Sequence, residues 1–388
     1  MRRKIKATLI WSFFFLVFLL MIGANARQGI KKSNLKSNQE TNQSVAKQSQ
    51  EERKQQTIQS LMAKMSLEDK VGQLFFARVP AQNALADLED YRLGAYLLFA
   101  RDYADKDLTG VKEMTTSFQE VSKIPLIIGS DEEGGTVTRI SEILDNPFQS
   151  PMALYQVGGL AGVLADNKAK VELLKSVGIY TGLYPVADIA QRSSSFIYSR
   201  TLGEDLTKTS DYVSQVVRQL KKEKFGSTLK HFPGYGDNGD SHTGVIQDDR
   251  SLSQLAAYDL RVFEAGIKAG ADSVLVSHNI LSQIDDVPAS ISPKMTQILR
   301  RDLGFQGVIM TDDFDMAGLA NLMSQEEAAY QAIQAGNDMV MSSSYQTQIP
   351  YLLEKVKSGQ LSEERLEESV KRILAWKYEL GLLSDKAE

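Results

Sequence analysis

Two of the three histidines in this chain fall within one fifteen-residue stretch, KHFPGYGDNGDSHTG, at residues 230–244. Its glycines make the stretch compliant, and Asp240 and His242 stand two apart, so in an extended segment their side chains point the same way. A carboxylate beside an imidazole orients the ring and favours its protonated form, which makes a histidine a general acid near neutral pH. The alternative is a solvated turn in which Asp240 and Ser241 cap the backbone.

A second stretch, MTDDFDMAG at 310–318, carries carboxylates at Asp312, Asp313 and Asp315. A carboxylate at a strand end can attack the anomeric carbon of a sugar and form a glycosyl-enzyme intermediate. Asp313 and Asp315 also suit the N-terminus of a following helix. In a third stretch, DEEGGTVTR at 131–139, Asp131 precedes Gly134 and Gly135, which let backbone approach a ligand closely, while Glu132 or Glu133 can be ordinary surface charges. Asp131, Arg139, Arg200, Lys230 and His231 together form a set able to grip one polar ring through charge-assisted hydrogen bonds.

Other chemistries lack their residues. The chain has no cysteine, which removes disulfides, thiolate nucleophiles and cysteine metal sites. His231 and His242 are separated by acidic residues but show no HExxH or other compact ligand spacing, so no metal is expected. No GxSxG, Walker A or GxGxxG motif occurs, so neither a serine hydrolase nor a nucleotide cofactor has support. A net charge of -5 with scattered basic residues gives no footprint for nucleic acid.

These residues need a frame, and the hydrophobic pattern supplies one. With 43% hydrophobic residues in 388, the chain can bury a sizeable core. From about Ile58 onward, short apolar runs alternate with amphipathic stretches, the pattern of parallel strands joined by helices. Eight runs begin near Val71, Leu93, Pro125, Tyr180, Ser227, Asp272, Gly307 and Asp338. Helices are predicted over Leu252 to Ala269, over Glu326 to Gly336, and in the C-terminal segment, where Leu366, Val370, Ile373, Leu374 and Lys377 recur at helical spacing. The pattern predicts an α/β fold, a (β/α)8 TIM-type barrel forming a single catalytic domain over 58–388, with a doubly wound open sheet as the alternative. In a barrel, reactive groups belong at the carboxyl ends of strands. Asp131, Asp188, Lys230, His231, His278 and Asp312 all follow or end such runs, while the first two runs offer nothing so clear.

Residues 1–26 place Arg2, Arg3, Lys4 and Lys6 ahead of an apolar run from Ala7 to Ala24. This reads as a signal peptide or an N-terminal membrane anchor, with the rest of the chain outside the cytoplasm, secreted or held at the membrane by that segment alone. Residues 27–57 are rich in Lys, Gln, Ser and Asn and read as a flexible polar linker.

The stretches KHFPGYGDNGDSH, DEEGGTVTR, SFIYSRTLGED and MTDDFDMAG, in their order, resemble the motif set of family 3 glycoside hydrolases, in the β-N-acetylhexosaminidase branch. The similarity covers roughly residues 58 to 380. It implies Asp312 as nucleophile, His242 as acid/base supported by Asp240, and Asp131, Arg139, Arg200, Lys230 and His231 as substrate-holding residues, with Asp188 and His278 carried over on looser motifs. It further implies a retaining, exo-acting enzyme that removes terminal β-linked N-acetylglucosamine from oligosaccharides such as peptidoglycan fragments; no cofactor and a monomeric state are expected. A β-glucosidase or β-xylosidase, a sugar phosphorylase of the same family, and an inactive cell-wall sugar receptor are the rival readings. Two features depart from the family pattern. Tyr235 stands where many members have histidine (PGHG), and the run from Asp237 to Asp240 is one residue shorter than the commonest form. The chain also ends soon after the barrel, so a one-domain enzyme without the second domain of some relatives is expected.

Overall fold

The computed structural model describes residues 48, 50–241 and 243–383. The N-terminal segment 1–26, most of the linker, and His242 lie outside the described residues. The chain divides into two compact units, residues 1–57 and 58–388. Among the described residues the second is built on nine short strands. They are β1 (Phe75–Arg78), β2 (Ala95–Leu98), β3 (Ile127–Ser130), β4 (Thr228–Phe232), β5 (Gln247–Asp248), β6 (Ser273–Val276), β7 (Ile280–Leu281), β8 (Val308–Thr311) and β9 (Val340–Ser342).

Every pairing among these strands is parallel. One sheet runs β3-β2-β1-β9 and another β4-β6-β8. Two seams join them into a ring. Met310 of β8 bridges Met339 beside β9, and Thr181 bridges Gly129 of β3 on one side and Gly226 on the other, with Val186 bridging Lys230 of β4. The ring is therefore closed and has eight members, as the eight apolar runs predict, and an open sheet is excluded. The fourth member, near residues 180–187, makes only isolated bridges. Pro185 has no N–H to donate there, and Leu183 takes a left-handed conformation, φ 52°, so a regular ladder cannot form.

The core runs read as continuous apolar segments because parallel strands in a barrel are covered on both sides: every residue of β2, β3, β6 and β8 is buried. Around them stand amphipathic helices. In Leu206–Glu223, Thr209, Tyr212, Val213, Val216, Val217 and Leu220 form the buried stripe, and the Asp205 carboxylate accepts the Lys208 N–H to start the helix. The helix predicted over Leu252 to Ala269 breaks at Tyr258 (φ −132°, ψ −80°) into Leu252–Ala257 and Asp259–Ala269. The break turns Asp259 inward, to Arg250. The other two arrive nearly as predicted, as Gln325–Ala335 and Glu363–Glu379. Among the described residues no helix is long and apolar enough to cross a membrane.

Candidate active site

At the carboxyl end of the ring lies a cavity of about 210 Å³. That is below the ~300–1,000 Å³ of pockets for drug-sized ligands, and suits a single ring. All eight ring members contribute to its lining: Arg78 from β1, Phe99 after β2, Asp131 after β3, Leu183 from the fourth member, Lys230 and His231 from β4, Leu275 from β6, Asp312 and Asp313 after β8, and Met341 from β9. Arg139 enters from a loop and Arg200 from the short 3-10 helix Tyr198–Arg200.

Six expected residues therefore converge: Asp131, Arg139, Arg200, Lys230, His231 and Asp312. They are not independent. Lys230 is buried, and its Nζ lies 2.6 Å from Asp131 Oδ1 and 2.5 Å from Glu133 Oε1. Glu133 accepts two hydrogen bonds from Arg200, at 3.0 Å from Nε and 2.7 Å from Nη2. Burial raises the Glu133 carboxyl, but Arg200 and Lys230 outweigh it and hold the group well below the usual carboxylate range. Arg200 Nη2 also donates to His231 Nε2 at 3.0 Å. Because a guanidinium only donates, Nε2 accepts and the ring proton sits on Nδ1, which donates to Asp188 Oδ2 at 2.8 Å. His231 thus aims Arg200 as well as lining the cavity.

Asp312 lines the cavity and accepts the Asp313 N–H on Oδ1 at 2.8 Å. Asp313 and Asp315 do not cap a helix. The helix that follows, Ala317–Ala320, has no side-chain cap, and both carboxylates turn to Arg78, at 2.5 Å and 3.4 Å. Burial pushes the Asp313 carboxyl up to about 6 against the pull of Arg78.

Two expected substrate ligands stand behind the cavity rather than in it. Asp188 is fully buried and accepts from the backbone N–H groups of His231 and Tyr235 as well as from the His231 ring, so it positions that histidine. His278 is fully buried, donating from Nε2 to the Asp313 carbonyl at 2.9 Å and pairing through Nδ1 with the Ser290 hydroxyl. Both occupy strand ends, yet their side chains face the wall.

Two further corrections concern the loops. Glu132 and Glu133 are buried, not surface charges. Glu132 accepts the backbone N–H groups of Arg139 and Ile140 and the Ser141 hydroxyl, which orders the loop carrying Arg139. Gly134 does not open space for a ligand: at φ 100° its missing Cβ would lie 2.1 Å from the Gln149 carbonyl oxygen, so the glycine serves the close crossing of two loops. Arg78 and Phe99 were not expected, although Arg78 ends the first apolar run as the other reactive residues end theirs. Asp240 is half-buried on the loop after β4 and is not among the residues lining the cavity.

A closed (β/α)8 barrel with a carboxylate nucleophile candidate and an ion-paired ring of polar groups at its carboxyl end is the frame of a glycoside hydrolase. Residues 66–376 match the glycosyl hydrolase family 3 N terminal domain, and the chain belongs to that family. It is similar to a β-hexosaminidase of Xanthomonas campestris pv. campestris, 34% identical over 262 residues that make up 66% of this chain and 78% of that protein. Among solved structures it resembles a family 3 β-N-acetylglucosaminidase from Paenibacillus sp. str. FPU-7, with TM-score 0.77 and 28% identity over 84% of this chain and 64% of the other, just under two thirds of its length. It also resembles a β-N-acetylhexosaminidase from Beutenbergia cavernae, with TM-score 0.71 and 26% identity over 81% of this chain and 99% of that one.

Proposed function

We propose that this protein is a retaining, exo-acting β-N-acetylglucosaminidase that releases terminal β-linked N-acetylglucosamine from oligosaccharides, with peptidoglycan fragments as the natural source. The observation that carries the reading is Asp312 on the wall of a one-ring cavity whose other charged groups are Arg78, Asp131, Arg139, Arg200, Lys230 and Asp313. The names of the similar proteins support the same sugar. The N-terminal run of basic then apolar residues supports a place outside the cytoplasm.

In this reading an Asp312 oxygen attacks the anomeric carbon, the bond to the leaving oxygen breaks, and His242 as imidazolium gives its proton to that oxygen. The sugar is then an ester on Asp312. Neutral His242 next takes a proton from water, whose oxygen attacks the same carbon and releases the carboxylate. Two inversions leave the configuration unchanged. Asp240 holds the His242 ring, and the paired cations and carboxylates around Lys230 bind the hydroxyls. Sequence resemblance is the support for His242 and Asp240.

A panel of aryl β-glycosides with and without the 2-acetamido group tests the sugar class, and Asp312→Ala is expected to lose at least about a thousandfold in turnover. His242→Ala is expected to lose most on poor leaving groups and little on activated aryl glycosides. Near wild-type rates for Asp312→Ala would overturn the nucleophile assignment. A sugar 1-phosphate appearing only when phosphate is added would identify a phosphorylase instead. Cell fractionation tests the location: protein confined to the cytoplasm would remove the export reading.

A further inference from the structure

We infer that Tyr235 and Ser241 are positioning residues which latch the acid/base loop onto the segment that follows Asp312. The inference rests on the reading of His242 as acid/base, and it concerns the position at which this chain carries tyrosine.

Beyond Tyr235 the loop after β4 runs mostly in contact with solvent. Gly239 and Thr243 are exposed, and Asp240 and Gly244 are partly so. Ser241 breaks this trend: it is fully buried. Its hydroxyl shares a hydrogen bond of 2.5 Å with the hydroxyl of Tyr235, which is also buried. The Ser241 carbonyl accepts the Gly318 N–H at 3.1 Å. The loop is therefore pinned at one residue from two directions, by the barrel wall through Tyr235 and by the nucleophile's own segment through Gly318. The pinned residue is the immediate neighbour of His242.

Tyr235 is itself held firmly. Its N–H donates to Asp188 Oδ1 at 2.7 Å, and its ring packs edge-on against Phe196 and His231 at 4.8 Å and 5.1 Å between centroids. Burial and then the charge of Asp312 keep its hydroxyl protonated and able to donate. Gly318 shows how close the far side of the latch is, since a Cβ there would come within 3.0 Å of the Ser241 carbonyl oxygen and 3.3 Å of that of Gly244. A tyrosine reaches from the wall to the loop and ends in a hydroxyl. It thereby links His231 on the cavity wall, and the Asp188 that positions it, to the residue beside the proton donor.

The test uses the full-length protein with Tyr235→Phe, Ser241→Ala, the double variant, and Gly318→Ala as an approach from the opposite side. Turnover is compared on a dinitrophenyl and an alkyl β-N-acetylglucosaminide, and hydrogen exchange is measured over residues 236–246. Each variant is expected to lose roughly 10- to 100-fold in kcat on the alkyl substrate, where protonation limits, and less than about threefold on the dinitrophenyl one, with KM little changed. Exchange should rise within this loop. The double variant, which leaves no orphaned hydroxyl, should be no worse than the worse single variant. Unchanged exchange in Tyr235→Phe would overturn the latch whatever the kinetics. Faster exchange with equal losses on both substrates would overturn its role in proton transfer. His242→Ala, measured alongside, isolates the underlying reading. If that variant shows no leaving-group dependence, the acid/base assignment fails, while the exchange result still decides the latch.

Discussion

At Glu133 the site's binding function and its stability meet in one buried carboxylate. It neutralises Lys230 and grips Arg200, which in turn fixes the tautomer of His231. Glu133→Gln keeps the shape and removes the charge, so buried Lys230 and part-buried Arg200 lose a shared counterion. Breaking such an arrangement costs about 3–5 kcal/mol. Because the folded pKa is depressed, the wild-type contribution is fully present above the ordinary value of 4.5 and is lost only as pH falls through the lower folded value. The variant is therefore expected to show a lower urea midpoint at pH 7, a deficit that narrows in strong acid, and a raised KM. Equal midpoints at pH 7 would refute the assignment. Glu133 was also the hardest residue to read in sequence, since a glutamate between another glutamate and two glycines has the look of a surface turn. Asp131, Lys230 and Asp312 were legible because each interrupts an apolar run where a barrel places its chemistry. Asp188 and His278 interrupt such runs too, and lie behind the cavity. Position along a strand tells which end a residue occupies, whereas the direction of its side chain depends on ring closure and on partners distant in sequence.

The elements followed the same division. All eight ring members were visible as apolar runs, because each is buried on both faces. The break at Tyr258 was not, since the contact it permits, Asp259 with Arg250, is purely tertiary. That guanidinium donates to the Gly234 carbonyl at 2.6 Å, to both oxygens of Asp248, and to Asp259 Oδ2 at 3.0 Å. It thus ties the departure of the acid/base loop to its return and to the helix beyond. A second cavity, of about 400 Å³, lies against this junction, with Arg250, Asp259, Gly236 and Asp237 in its lining, so polar bonds hold the loop base beside open space. Arg250→Ala leaves buried Asp248 and Asp259 without the guanidinium that both pair with, and burial already raises Asp259 to about 6 with Arg250 present. The expected result is a loss of about 3–5 kcal/mol in denaturant unfolding at pH 7. Arg250→Lys should recover only part of it, because an ammonium cannot reproduce a planar fork serving three acceptor groups. Full recovery by lysine would show that charge alone matters.

The whole molecule separates chemistry from support by placing them at opposite ends of the ring. Beside the amino-terminal ends of the strands, Asp338 collects Arg300, Arg365, Arg372 and Ser369, and Lys377 from the C-terminal helix is buried with its Nζ 2.5 Å from Gln73 Oε1, just ahead of β1. Lys377 sits at a core position of its helical stripe, in line with Leu366, Val370, Ile373 and Leu374, and it is fully buried with them. Burial lowers its pKa to about 7 from 10.5, and the partner it reaches is a neutral amide. The sign follows from proton counting. Between about 7 and 10.5 the unfolded chain holds a proton that the folded chain has released, so this group makes the fold more stable as pH rises through that window. Below about 7 both states are protonated and the desolvation cost stands in full, on the order of a few kcal/mol. Lys377→Met fills much the same volume without a charge. It is expected to raise the denaturation midpoint most at pH 6 to 7, and the gain should shrink towards pH 10, where the wild-type lysine is neutral and keeps its bond to Gln73 while the variant leaves the Oε1 of that amide without this partner. A gain independent of pH would mean that packing, and not the buried charge, sets the cost at this position. Since Lys377 lies at the end of the ring away from Asp312, kcat/KM of the variant at pH 7 should match the wild type, and that match would separate the supporting end of the barrel from the reacting one.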